Sequence, residues 1–186
     1  MAAQESQADK SAQLQQILDK AQEVRANLHQ WNESWGHHAY TEILPPATTP
    51  VIADTTGGTT LAWTSVFHFE TLYQANILTL YRATLILILR FITSVRTALG
   101  KVDELHVHQQ EILDAGLFIC RSVDFHLSQI WTELGAFNLL FPVRMAYDAV
   151  GREQSAIGLW LEKILDDISA GRRGLWKSAK AVLDIG

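Results

Sequence analysis

The chain has 186 residues, 48% hydrophobic and 19% charged, enough apolar material for a packed core and too much for a disordered segment. Its formal charge is −5, and it has no basic stripe; both argue against a nucleic-acid binder, whose affinity rests on phosphate contacts. A single cysteine, Cys120, excludes an intramolecular disulfide and points to an intracellular protein.

The N-terminus, MAAQESQADK, is polar and lacks the apolar stretch of a signal peptide. Residues 11–35 predict a first helix. Leu14, Ile17, Ala21, Val24, Leu28, Trp31 and Trp35 recur at alternating steps of three and four, which is a heptad seam. It lasts three repeats, short for an independent coiled coil. We therefore expect the stripe to fold back on its own domain, with self-association as the alternative. Leu14, Ile17, Val24, Leu28, Trp31 and Trp35 are the candidate interface.

Residues 41–64 break the helical pattern. Pro45, Pro46 and Pro50 precede Thr-Thr-Gly-Gly-Thr-Thr at 55–60, a composition that predicts a loop or linker. The segment lacks the lysine and the preceding strand of a phosphate loop. The division is thus an N-terminal amphipathic helix over 1–40, a Pro/Thr/Gly-rich loop over 41–64, and a helical core domain over 65–186.

From Ser65 to Leu99 the pattern predicts one long helix with Gly100 as its stop. Gln74, Arg82, Arg90 and Arg96 fall in one sector, and nearly everything else is apolar, as expected of a central helix. Arg82 and Arg90 interrupt the apolar run, so it reads as a buried helix and not as a membrane anchor, which needs roughly 20 apolar residues.

Residues 103–133 predict another helix, ended by Gly135, with Ile112, Gly116, Ile119, Cys120, Val123, Leu127 and Ile130 on its buried side. Phe141-Pro142 should open a short helix, since proline suits the first helical position. Val143, Ala146, Tyr147 and Val150 form its apolar face, and Gly151 closes it. The clearest amphipathic pattern follows at 152–170, where Ile157, Trp160, Leu161, Ile164, Leu165 and Ile168 face one side and Glu162, Lys163, Asp166 and Asp167 the other. Gly171 stops it beside Arg172-Arg173, and a last helix spans 174–184. No strand pattern stands out. The expected fold is all-α, an irregular bundle of five to six helices around the long helix.

Candidate chemistry is sparse. His37-His38 and His106-x-His108 offer no third or fourth ligand at helical spacing, so they read as surface histidines, and neither a metal nor a cofactor is expected. Cys120, six residues before His126, lies on an apolar face and reads as a small buried hydrophobe. Asp103-Glu104 and Asp166-Asp167 are adjacent on helices and cannot converge. Asp124 and Glu70 border apolar surfaces, and the arginines of the long helix are their expected partners. G-x-S-x-G, H-E-x-x-H and C-x-x-C do not occur. Trp63, Phe67, Tyr73, Trp131 and Tyr147 are candidates to line an apolar pocket.

The order of elements over 65–184 resembles the C-terminal part of the fungal-specific transcription factor domain, the helical region that follows the zinc-cluster DNA-binding domain in fungal regulators. The resembling residues run from Phe67-His68-Phe69 through Leu72 and Ala75-Asn76 to Tyr81 and Ala83, then Cys120-Arg121-Ser122. Next comes Phe141-Pro142-Val143-Arg144-Met145-Ala146, and last Trp160-Leu161 to Ile168-Ser169 and Arg172-Arg173-Gly174. The resemblance covers about two thirds of the chain. It implies the regulatory half of such a protein, acting in the nucleus; without it the expectation is cytoplasmic. The six zinc-binding cysteines of that family have no counterpart here. The expected function is a non-enzymatic regulatory or protein-interaction domain without a DNA-reading part. A helical protein that binds a small apolar ligand is the alternative, and an enzyme on a helical scaffold ranks last. The chain should give no gel shift with duplex DNA at physiological salt; a salt-dependent shift at sub-micromolar protein would show this wrong.

Overall fold

The computed structural model describes residues 2–35, 40–53, 58–101, 105–129, 133–151 and 155–170. They form five α-helices: α1 (Ala2–Trp35), α2 (Leu72–Ala98), α3 (Leu105–Ser128), α4 (Glu133–Ala146) and α5 (Ala156–Ala170). A π-helical turn, Tyr147–Gly151, continues α4. Four short strands interrupt the helices: β1 (Tyr40–Ile43), β2 (Val51–Ala53), β3 (Thr59–Leu61) and β4 (Val66–Phe69). The chain is mainly helical, and the strands correct the all-α expectation.

The strands make two antiparallel pairs. β1 pairs with β4, Tyr40 opposite Phe69 and Ile43 opposite Val66. β2 pairs with β3, Val51 opposite Leu61 and Ala53 opposite Thr59. The stretch expected to be a loop is therefore partly a hairpin. The expected start of the long helix is likewise a strand, in which Val66, Phe67 and Phe69 are buried and His68 exposed. That alternation is the period-two signature of a half-covered ribbon. Three or four residues are too few for the period to emerge from an aromatic run that leads straight into a helix.

The long helix begins where its cap dictates. The Thr71 hydroxyl accepts from the Gln74 amide, and the Gln74 side chain accepts from the Thr71 amide, a reciprocal capping box. Its end is as expected: Gly100 takes φ 71°, its amide donates to the Thr97 carbonyl, and the Lys101 amide donates to that of Arg96. By length and composition α2 could cross a membrane; here it is the centre of the packing. Ala83, Leu85, Ile86 and Leu89 have no exposure, and they join Ile119 and Val123 of α3, Leu139 and Val143 of α4, and Trp160, Leu161 and Leu165 of α5 in the main core.

α1 runs antiparallel to α2 and folds back on it, starting earlier than residue 11. Leu18 is buried against Ile92 and Val95, and at the other end Trp31 lies 5.8 Å from Tyr81, ring centre to ring centre. The buried line of α1 differs from the expected seam. Leu18 is its most buried residue, flanked by half-buried Leu14, Ala21, Arg25 and Leu28, whereas Ile17, Val24, Trp31 and Trp35 are exposed. The reason is a third element: Arg25 pairs with Glu111 of α3 at 2.6 Å, and His29 meets the same carboxylate at 2.9 Å. α1 thus sits over the groove between α2 and α3, which keeps Leu14, Ala21 and Leu28 of the expected seam half-buried and turns Ile17, Val24, Trp31 and Trp35 toward solvent.

The helix expected over 103–133 ends at Ser128, and α4 contains both Gly135 and Pro142. Proline inside a helix loses one backbone bond and crowds the carbonyl four residues back. Complete burial of Leu139, Val143 and Ala146 holds α4 in place on both sides of it. The π turn then meets its neighbours at close range. A Cβ on Gly158 would stand 1.9 Å from the Gly151 carbonyl oxygen, and one on Gly116 would stand 2.8 Å from the Ala149 Cβ. Only glycine allows α5 and α3 to approach so closely. The expected 174–184 helix and Arg172-Arg173 lie outside the described residues.

Trp160 and Ile164 are core residues as expected, 8% and 7% exposed. Trp160→Ala should lower unfolding free energy by about 3–5 kcal/mol in chemical denaturation, the usual scale for emptying such a site; a loss below about 1 kcal/mol would contradict its burial.

Candidate functional site

Among the described residues two surfaces stand out, a cavity and an exposed apolar helical face. The cavity lies where the β1–β4 ribbon crosses α2 and α3, and holds about 620 Å³. Tyr40, Trp63, Phe67 and Phe118 supply its aromatic wall, Leu61 and Leu117 its aliphatic part, and Arg82, Arg121, Glu42 and Asp114 its charge. The register of the ribbon brings these groups together. Tyr40 lies 4.4 Å from Phe67 and 5.5 Å from Phe118, ring centre to ring centre.

The two guanidiniums of the cavity differ. Arg121 is held by an ion pair: its Nε donates to the Ser65 carbonyl at 2.8 Å, its Nη2 lies 2.9 Å from Glu42, and its Cζ stands 4.0 Å from the Phe67 ring centre. Ser65 donates its hydroxyl proton to the same Glu42 carboxylate. That bond, and then the charge of Arg121, hold the Glu42 carboxyl below its usual range. Arg82 instead rests on aromatic faces, its Cζ 4.8 Å from the Phe118 ring centre and 5.1 Å from that of Tyr81. It has no ion pair and no hydrogen bond among the described residues, and its Nε is buried.

The exposed face combines one flank of α1 with one of α2. On α2, Tyr73, Leu80, Leu87 and Phe91 are exposed, with half-buried Ile77 and Thr84 between them at heptad steps. On α1, Ile17, Val24, Trp31 and Trp35 are exposed. The flanks join: Trp35 stacks on Trp31 and meets the edge of Tyr73 at 6.0 Å. No exposed residue of α2 carries a charge. The eight residues range from 36% to 65% exposed, an unusual number of large apolar side chains for two neighbouring helix flanks.

The expected pocket residues divide. Trp63 and Phe67 line the cavity. Tyr73 is 65% exposed on the helical face. Tyr147 sits in the π turn, where its hydroxyl donates to Glu162 of α5 at 3.0 Å. Trp131 lies outside the described residues, as do His37, His38, Asp103, Glu104 and Ile130. Sequence reasoning missed Glu42, Arg121 and Phe118, because only the ribbon register brings them together. Arg82 carried a visible signal, an arginine within an apolar helix.

The buried ionisable groups are separate from both surfaces. Burial pushes the Cys120 thiol up to about 12. Burial lowers His126, partly offset by its Nδ1–H, which donates to the Ser122 carbonyl at 2.9 Å. His108 is buried, unlike the exposed His106 and contrary to a surface reading, because α3 is covered on that side. The expected partners of the long-helix arginines also change. Glu70 is exposed and accepts from Gln74. Asp124 is half-buried, with its carboxyl raised by that burial. The carboxylate that receives Arg90 is Asp148 of the π turn, which Arg144 approaches to 3.4 Å from its own helix. Among the described residues, no three His, Cys, Asp or Glu side chains are grouped to hold a metal ion.

No protein-family model matches the chain, no curated protein matches it, and no solved structure matches it.

The Cys120 thiol should react with an aromatic disulfide reagent at pH 8 at least about a hundredfold more slowly in the folded chain than in denaturant, since the thiolate is the reactive form. Equal rates would mean that the thiol is accessible.

Proposed function

We propose that this chain is a non-enzymatic regulatory domain that works through protein association, of the kind its sequence resembles in the helical region of fungal zinc-cluster regulators, and that it carries no DNA-reading part. On that reading it acts in the nucleus. The observation that supports an interaction role is the face shared by α1 and α2, where apolar side chains at heptad spacing stand in water with no charge along α2. Water disfavours such a surface by roughly 25 cal/mol per Å².

The occupant that fits is a second copy of the chain. A two-fold axis across the α2 stripe sets the same heptad positions against each other, so the surface is its own complement. α1 remains docked in cis through Leu18, and the exposed flank is what the pair would share. An enzymatic reading has less support, because the Cys120 thiol and the His126 imidazole are both closed off from the cavity.

Light scattering should give a dimer at tens of micromolar, and Leu80→Glu with Leu87→Glu should give a monomer with unchanged circular dichroism, since both sites are exposed. A monomer of the unmodified chain at about 100 µM would overturn self-association, because specific, stable interfaces reach micromolar affinity or better. Joined to a heterologous DNA-binding domain in a reporter strain, the chain should shift reporter output and the double variant should not. Equal output from the two would detach regulation from this face.

A further inference from the structure

We propose that the cavity between the β1–β4 ribbon and α2–α3 binds a small organic carboxylate with an apolar, ring-sized body, and that Arg82 receives the carboxylate. The inference is independent of the association face, which lies on another side of α2.

The charge arrangement carries it. Of the two guanidiniums in the cavity, Arg121 is satisfied by Glu42 and by Ser65. Asp114, the other acid in the lining, is exposed and accepts from Gln110 at 2.9 Å. Arg82 lines the same space with no acid and no carbonyl among the described residues, and its Nε is withdrawn from water. The guanidinium borders the cavity without a counter-ion among the described residues, and its outer Nη edge is the part a ligand could reach. A carboxylate answers its planar fork with two parallel bonds.

The walls decide the rest of the ligand. Tyr40, Trp63, Phe67 and Phe118 back the cavity; Trp63, Phe67 and Phe118 are 3–7% exposed, so each offers a ligand a ring edge while the faces of Phe67 and Phe118 are already partly occupied by the two arginines. A fully hydrated inorganic anion gains nothing from such walls, whereas an aromatic or short aliphatic body does. The space holds about 620 Å³ and is open to solvent on one side, so it would cradle a small ligand and not enclose it. Stacking on Phe118 and Tyr81 also holds Arg82 in place before the ligand arrives, so little side-chain freedom is lost on binding.

The test is calorimetric titration of the full chain with 3-phenylpropionate, with its neutral amide and with inorganic phosphate. The acid should bind saturably at one site with a dissociation constant at or below about 1 mM. The amide should bind about tenfold more weakly or worse, since it lacks the charge that strengthens the bond to Arg82. Phosphate should not compete. Arg82→Gln should reduce acid affinity by a similar factor and leave amide affinity nearly unchanged, with folding checked by circular dichroism. Equal affinity for acid and amide in the unmodified chain would overturn the proposal without any variant. So would the absence of saturable binding by the acid, or competition by phosphate. Retention of full acid affinity by a folded Arg82→Gln chain would assign the site to another group.

Discussion

The structure depends on one constraint: α2 is apolar around most of its circumference, so the rest of the chain must keep water off it. α3, α4 and α5 build the main core against it, and α1 covers a further side by running back along it. The β1–β4 ribbon adds a smaller cluster at its N-terminal end, where Phe67 and Phe69 enclose Ala75 and Leu78 with Phe118 and Phe125. Each fully buried Leu or Ile on such a helix contributes about 1.5–3 kcal/mol through area removed from water. The side that no described element covers is the exposed apolar face, the surface proposed for association. Covering and docking are thus two consequences of the same composition.

Polar ties settle how the covering elements are placed. Arg25 and His29 of α1 share Glu111 of α3, and the Tyr81 hydroxyl of α2 lies 3.3 Å from His29 Nδ1, so three helices meet at one network. Arg90 reaches across to Asp148, whose side chain is only 10% exposed and lies between two guanidiniums. A carboxylate so enclosed is tolerable only with its partners present, and removing one from a buried pair commonly costs 3–5 kcal/mol. These ties add less net stability than the apolar core, but they select one arrangement of it. Glu42, Ser65 and Arg121 act similarly for the ribbon, joining β1 and the approach to β4 to α3.

The cavity follows from the same construction. A short ribbon laid across two helices cannot fill the angle between them, and the gap is lined by whatever its register presents. Tyr40 and Glu42 come from one strand, Phe67 from the other, and Arg82, Phe118 and Arg121 from the helices beneath. The resulting space combines aromatic residues with one arginine in an ion pair and one resting on ring faces. The exposed face needs only apolar side chains at regular steps, while the cavity needs charges from three elements in register.

What the sequence by itself determined was local. The C-terminal stop of α2 at Gly100, the burial of Cys120, and the core stripe with Trp160, Leu161 and Ile164 all follow from spacing and residue type, because capping and amphipathic periodicity act within a few residues. The packing of α1 on α2 was legible in part: Leu14, Ala21 and Leu28 of the expected stripe are half-buried, while Ile17, Val24, Trp31 and Trp35 of the same stripe are exposed. What only the tertiary structure decided was relative. The buried line of α1 passes through Leu18 because Glu111 of α3 draws Arg25 and His29 toward it. The strands exist because β1 and β4 pair across a separation in sequence that no local period records. Arg90 found Asp148 and not Asp124 because the π turn, itself admitted by Gly116, Gly151 and Gly158, places that carboxylate within reach. Of the cavity, Trp63 and Phe67 could be named in advance and Arg121, Glu42 and Phe118 could not. Aromatic residues announce burial from composition alone, whereas a binding site is a property of distances between elements, and those distances are fixed only when the elements pack.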